Sequence, residues 1–186
     1  GPGNNGADTI YAGARLSAKG HRVDAVIFDS SEKNLELIAR EGGEGTRVLD
    51  PEHALEQLVG YDLTIDGILG TGSSGAVRGN AGEYLGVLRA AQLDGKLSAV
   101  LAVDTPSGVD NNRGTVHEPS LRADRTVTFI GHKLPAGTSH SVHSGDIKLY
   151  DLGVPEALDA HKPALRVLDR EDYRELIEIP DAHSHK

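Results

Sequence analysis

The sequence predicts an α/β protein with a mostly parallel sheet, and three observations carry the prediction. Short β-branched or aliphatic runs alternate with helical patterns of about 10 to 15 residues, the signature of βαβ units. Glycine-rich stretches follow the strand-like runs instead of interrupting them. The run at 97–103 (LSAVLAV) is the most apolar in the chain, as a strand in the middle of a parallel sheet should be.

In chain order, residues 7–19 (ADTIYAGARLSAK) carry Ile10, Ala14 and Leu16 on one side and stop at Gly20, which reads as a helix. Residues 22–29 (RVDAVIFD) read as a buried strand. Ser30 or Ser31 can cap a helix over 32–40 that runs into Gly42 and Gly43. Residues 47–49 form a weak strand, and 51–58 a helix with Pro51 in its first turn. A second clear strand covers 61–69 (YDLTIDGIL), followed by the glycine loop 70–79 and a helix over 81–93. After 97–103, Pro106 stops pairing in the turn 104–108 (DTPSG). Residues 124–130 and 146–152 are further strands, and the tail from Arg170 is helical for a turn or two.

A glycine-rich loop feeding a helix normally follows a strand, yet none precedes residues 1–6 (GPGNNG). We therefore expect native residues ahead of Gly1, among them a strand central to the sheet. The lack of any methionine, even at position 1, agrees with an N-terminal truncation. A Gly1-Pro2 protease scar is the alternative.

At 186 residues the chain suits one domain with a real core. A formal charge of -9 opposes a phosphate backbone, so no nucleic-acid partner is expected. No run approaches the roughly 18 apolar residues of a membrane span. The absence of cysteine excludes thiolate sites and fits a cytoplasmic location.

Ligands of open parallel sheets bind beyond the carboxyl ends of the strands. Three segments fall there: 1–8, 66–76 and 104–110. Backbone N–H groups around Gly3, Asn4, Asn5 and Gly6 can hold an anion at a helix N-terminus, or Asn4 or Asn5 can be a plain helix cap. Residues 70–75 (GTGSSG) can bind a second phosphate, or form a simple connecting loop. Asp104, at the mouth of the most apolar strand, should be partly desolvated with a raised pKa suited to acid/base work. Its alternative is a turn with Ser107 around Pro106. Asn5, Asp66 and Ser107 offer oxygen ligands for potassium or magnesium. His140, His143, His183 and His185 read as solvated loop residues rather than a metal site. Lys133 can meet an anion at the same rim or simply be exposed.

Together these segments resemble the NAD(P)H-hydrate epimerase family, the N-terminal half of bifunctional nicotinamide-repair enzymes. The matching stretches are GPGNNGAD (1–8), DGILGTGSSGAVRG (66–79) and AVDTPSGVDNNRG (102–114), with ADRTVTFIGHK (123–133) and GDIKLYDLGVP (145–155) in order. The resemblance implies a three-layer Rossmann-like α/β/α domain over 1–165. It implies an isomerase that interconverts the epimers of hydrated NADH or NADPH, the dinucleotide being substrate rather than cofactor. It places substrate contacts at Asn4, Asn5, Gly6, Ala7 and Asp8, at Gly70, Thr71, Gly72, Ser73, Ser74, Gly75 and Ala76, and at Asp104. Asp104 is our choice of catalyst. It places potassium on Asn5, Asp66 and Ser107, and members often form homodimers. Ala7 stands where the family usually has glycine, and Thr9 replaces another. Residues 166–186, ending IPDAHSHK, resemble the linker towards a fused dehydratase domain whose body is missing from the chain. A NAD-dependent Rossmann-like oxidoreductase is the competing enzyme class; Asp29 sits where its ribose-binding acid would, but the G-x-G-x-x-G spacing is absent. A non-catalytic dinucleotide-binding module is the other.

Overall fold

The computed structural model describes residues 1–28, 32–41, 45–154, 156, 158, 160–168 and 170–176. Its helices are α1 (Asn4–Ser17), α2 (Glu32–Glu41), α3 (Pro51–Glu56), α4 (Gly79–Leu93) and α5 (Arg170–Leu176). Its strands are β1 (Val23–Ala25), β2 (Thr46–Val48), β3 (Leu63–Asp66), β4 (Ala99–Val103), β5 (Val109–Asp110), β6 (Thr115–Val116), β7 (Arg125–Phe129) and β8 (Asp146–Tyr150).

A four-stranded parallel sheet in the order β3-β4-β7-β8 forms the centre. The α/β class with a mostly parallel sheet and flanking helices is therefore as the sequence predicts. Each strand is followed by a connection that returns to the same end, which brings all four carboxyl ends to one edge. Helix α4 lays Leu85 and Leu88 on Val100 and Ala102 of β4, with Val77, Leu121 and Ala123 completing that core. Burying Leu85 completely contributes about 2 kcal/mol. Helix α1 packs on α2, β1, β2 and β4. In α3, Asp50 accepts from the His53 backbone N–H at 3.0 Å and Pro51 opens the first turn.

Several expectations need correction. The strand expected over 22–29 is only β1, and that over 61–69 is only β3. A run of branched residues persists as a strand only while a neighbour supplies its ladder, and among the described residues β1 pairs solely with β2, over three residues. Among the described residues β1 and β2 form their own parallel sheet, separate from the four-stranded one. A cavity of about 760 Å³ lies between them, lined by Val23, Ala25, Ile65, Tyr84 and Leu85 among others. Arg47 clamps Asp24 through two bonds of 2.7 Å, and the Tyr61 hydroxyl donates to the same carboxylate at 2.7 Å, tying the smaller sheet to the segment ahead of β3. The antiparallel hairpin β5–β6 was not expected. Asp29, Ser30, Ser31, Gly42, Gly43, His183 and His185 lie outside the described residues. The strand expected ahead of Gly1 lies outside the chain.

Candidate functional site

Asp66 ends β3 and Asp104 directly follows β4, so both stand on the carboxyl edge of adjacent strands. The turn after β4 folds back over β3. There Ser107 donates its backbone N–H to Asp66 Oδ2 at 2.7 Å and its hydroxyl to Asp66 Oδ1 at 2.6 Å. Leu69 N–H donates to Ser107 Oγ at 3.0 Å, and Asn5 Nδ2 donates to the Leu69 carbonyl at 2.9 Å. One hydrogen-bonded chain thus joins the first turn of α1, the loop after β3 and the turn after β4.

Gly70 sits where these segments meet. A Cβ there would lie 2.9 Å from Asn5 Cβ and 3.4 Å from Asp104 Oδ2. Asn5 Cβ is fixed to the helix backbone and cannot swing aside. Gly70→Ala is expected to lose roughly 1–3 kcal/mol in urea unfolding. An unchanged midpoint would contradict so close an approach.

Asp104 is held in the left-handed region at φ 67, a conformation aspartate tolerates better than most residues. Its Oδ2 accepts from the Thr71 N–H at 3.0 Å and from the Thr71 hydroxyl. Its Oδ1 accepts from the Thr128 hydroxyl at 3.3 Å and faces Lys133 Nζ at 3.2 Å. Lys133 also donates to the carbonyls of Phe129 (2.9 Å) and Gly131 (3.2 Å), which fixes its ammonium over the end of β7. Burial pushes the Asp104 pKa up, but the Thr71 hydroxyl and the Lys133 ammonium outweigh it and hold the carboxyl below the ordinary carboxylate range. The raised pKa expected from sequence is therefore reversed.

The raised carboxyl is Asp66. Complete burial pushes it up, and hydrogen bonds from Ser107 and the Ile68 N–H offset this only in part. A buried carboxylate in that condition favours an added positive charge. The oxygens joined to it through that hydrogen-bonded chain are the Ser107 hydroxyl, the Asn5 amide oxygen and the Leu69 carbonyl, with backbone N–H groups and the Gly1 amino group also close by. Those oxygens fit a hard or alkali cation and not zinc. No cluster of three or more His, Cys, Asp or Glu residues suited to a metal occurs among the described residues.

The other predicted contacts are placed as follows. Asn4, Asn5, Gly6, Ala7 and Asp8 belong to the first turns of α1, whose N-cap is Gly3; neither asparagine caps the helix. The early N–H groups of α1 point at the carboxyl edge with the positive end of the helix dipole. In the loop 70–76, Ser73 closes a turn on the Gly70 carbonyl through its N–H (3.1 Å) and hydroxyl (2.7 Å). Thr71, Gly72 and Ser74 are exposed to an incoming ligand. His143 is buried, not solvated, and desolvation lowers its pKa, so it is a neutral packing residue. Lys133 meets an anion, but the anion is the protein's own Asp104. Sequence reading missed Thr128 and Asn111. Thr128 is signalled only by its alternation with Thr126 on β7, both buried. Asn111 carries no local signal, because its burial depends on the hairpin that follows Asp110.

The profile of the family described as YjeF-related protein N-terminus matches residues 1–134. An NAD(P)H-hydrate epimerase of Microbacterium testaceum is 36% identical over 169 residues, covering 89% of this chain and 64% of that protein. A bifunctional NAD(P)H-hydrate repair enzyme Nnr of Thermofilum pendens is 33% identical over 172 residues, covering 85% of this chain and 31% of that protein. The crystal structure of yeast ynu0 superposes with a TM-score of 0.64 at 22% identity, over 80% of this chain and 62% of that one, which supports the fold. The chain thus spans about two thirds of the first relative's length and about one third of the second's.

Proposed function

Because the chain belongs to the family of the YjeF-related protein N-terminus, we propose that it interconverts the two epimers of hydrated NADH or NADPH, as a nicotinamide-nucleotide repair isomerase. The observation that carries this reading is the Asp104 carboxylate. It is kept ionised where three loops meet, beside an exposed glycine-rich turn and the N-terminus of α1.

The epimeric carbon bears a hydroxyl and is bonded to the ring nitrogen. When the hydroxyl gains a proton it leaves as water, and the nitrogen lone pair forms a C=N bond. The ring is then a flat cation. Water adds to the opposite face and releases a proton, so atoms and charge balance over the cycle. An ionised Asp104 stabilises the cation and accepts the proton of the returning water. Lys133 is a proton-bearing group within 3.2 Å of Asp104 Oδ1 and keeps that acid charged. Thr71 occupies Oδ2 and must yield to the substrate. Asn4 to Asp8 and Gly70 to Ala76 offer backbone N–H groups for the diphosphate, although the Ala7 methyl narrows the approach.

Potassium would be held by Asn5, Asp66 and Ser107, supplying positive charge beside the diphosphate when bound. The Asp66 pKa lies above its ordinary 3.8, so its ionisation costs stability at neutral pH. That cost is relieved as pH falls through the folded value towards 3.8, because the folded state then binds more protons than the unfolded one. A bound cation acts in the same direction. The melting temperature at pH 7 should rise in KCl over choline chloride of equal ionic strength. The gain is about 2.7 kcal/mol at 100 times Kd, or roughly 5–10 °C. Asp66→Asn should remove the difference; an equal shift in both salts, or one that survives in the variant, counts against the site.

Within this reading residues 1–165 are the epimerase unit and 166–186 a linker towards a dehydratase domain, and the working form is a cytoplasmic homodimer. No helix among the described residues is long and apolar enough to cross a membrane. The test gives the chain purified single-epimer hydrate, with and without potassium, and follows the other epimer by chromatography. Interconversion no faster than in buffer alone would overturn the proposal.

A further inference from the structure

Beside Asp104 lies a small cavity of about 10 Å³ lined by Asp104, Asn111, Thr128, Lys133 and Ser144 together with apolar neighbours. Asn111 is 7% exposed, and neither Nδ2 nor Oδ1 of its amide has a hydrogen-bond partner in the protein. A buried primary amide with both ends unpaired is costly, at more than the worth of one ordinary hydrogen bond. The other polar groups on the wall are largely committed: Thr126 to the Ser144 carbonyl at 2.7 Å, Thr128 and Lys133 to Asp104. The Thr126 and Thr128 hydroxyls retain capacity, since a hydroxyl can accept as well as donate, whereas the Lys133 donors are taken by Phe129, Gly131 and Asp104.

We propose that this cavity is a binding site for one water molecule, held by Asn111 and bridged to the groups around Asp104. The volume suits one water and nothing larger, and the wall offers the two to four polar partners such a water needs. An alkali cation would need a wider shell of oxygens and would meet the Lys133 ammonium. The water satisfies both ends of the Asn111 amide through its donor and acceptor capacity. It also fixes the Thr128–Asp104–Lys133 group, which makes Asn111 a positioning residue for the acid. The water site itself does not depend on the epimerase reading; the consequence for turnover does.

Two measurements decide it. A high-resolution crystal structure of the chain should show a density peak within about 3.2 Å of Asn111 Nδ2 or Oδ1 and of a second wall atom. Empty density, or Lys133 swung over to bond the amide, overturns the proposal. In the second, Asn111→Leu keeps the branching of the side chain and removes its polar atoms. With water present, the variant strands the wall groups, and its melting temperature should fall. If the pocket is dry, leucine removes two unpaired polar atoms and the melting temperature should rise, by about 3 °C or more, against the proposal. Where epimerisation is measurable, the variant should lower kcat about tenfold with KM unchanged, an effect that filling a remote core position would not produce. The crystallographic and thermal results stand whether or not the chain turns over the hydrate, so failure of one reading is distinguishable from failure of the other.

Discussion

Asp104→Asn is expected to slow epimer interconversion by roughly 10²- to 10⁴-fold and to leave dinucleotide binding largely intact. Asparagine keeps the shape of the side chain, tolerates the left-handed backbone at φ 67 and still accepts the Thr71 N–H. Only the charge that faces the cationic ring is lost. The substitution also leaves the Lys133 ammonium, 19% exposed, without its counter-ion. Removing one partner of a largely buried pair destabilises more than removing both. The Asp104→Asn/Lys133→Met double variant should therefore melt higher than Asp104→Asn alone and remain inactive. Full activity in Asp104→Asn would take the acid out of the mechanism. The pH dependence carries the same sign. With its folded pKa depressed, Asp104 contributes stability that is present above its ordinary 3.8 and lost as pH falls through the lower folded value. The rate should accordingly hold through the ordinary carboxylate range and collapse only in more acid solution.

The second large effect is on folding. Gly108 follows Ser107 at φ +94, and a Cβ there would meet the His117 carbonyl oxygen at 2.6 Å, the Pro119 carbonyl oxygen at 2.9 Å and Ser120 Cβ at 3.0 Å. The two closest are backbone atoms of the segment that includes and follows β6. Gly108 O also accepts from the His117 N–H at 2.8 Å, so the clash and the hairpin share one strand pair. Gly108→Ala adds a left-handed penalty of about 1–3 kcal/mol to an overpacking penalty of about 1–3 kcal/mol. We expect a loss of about 3 kcal/mol or more in urea, with Ser107 displaced from Asp66. Gly72→Ala is the control. Gly72 has nothing within 4 Å of an added Cβ, and its substitution should stay within about 0.5 kcal/mol of the parent. A Gly108→Ala loss below about 1 kcal/mol would show that the hairpin can shift to take the methyl.

How far the sequence could be read depended on how local each signal is. The helix α4 and strands β4, β7 and β8 were legible within a residue or two, because helical periodicity, an apolar run and a following glycine act over one element. The extents of β1 and β3 were not. They depend on a neighbouring strand, which no local pattern specifies. The hairpin β5–β6 was missed since two-residue strands carry no periodicity. At the site, the meeting of Gly70 and Asp104 was legible because both follow strand-like runs of one parallel sheet, whose carboxyl ends must share an edge, and Asn5 was placed with them by its glycine-rich loop at the start of a helix. The ionisation of the two acids was not. Asp66 and Asp104 stand at the tips of adjacent strands, and local sequence pointed to Asp104, not Asp66, as the acid with the raised pKa.

The chain by itself determined the α/β class, the three loops and the residues with the chemistry to act at their junction, since these follow from composition and short-range pattern. Which aspartate has its pKa raised and which has it lowered was decided only in three dimensions. Lys133 reaches Asp104 from the end of β7, whereas Asp66 is enclosed by Ser107 and backbone N–H groups. A carboxyl's pKa is set by the charges and desolvation around it, and those neighbours come from distant parts of the chain.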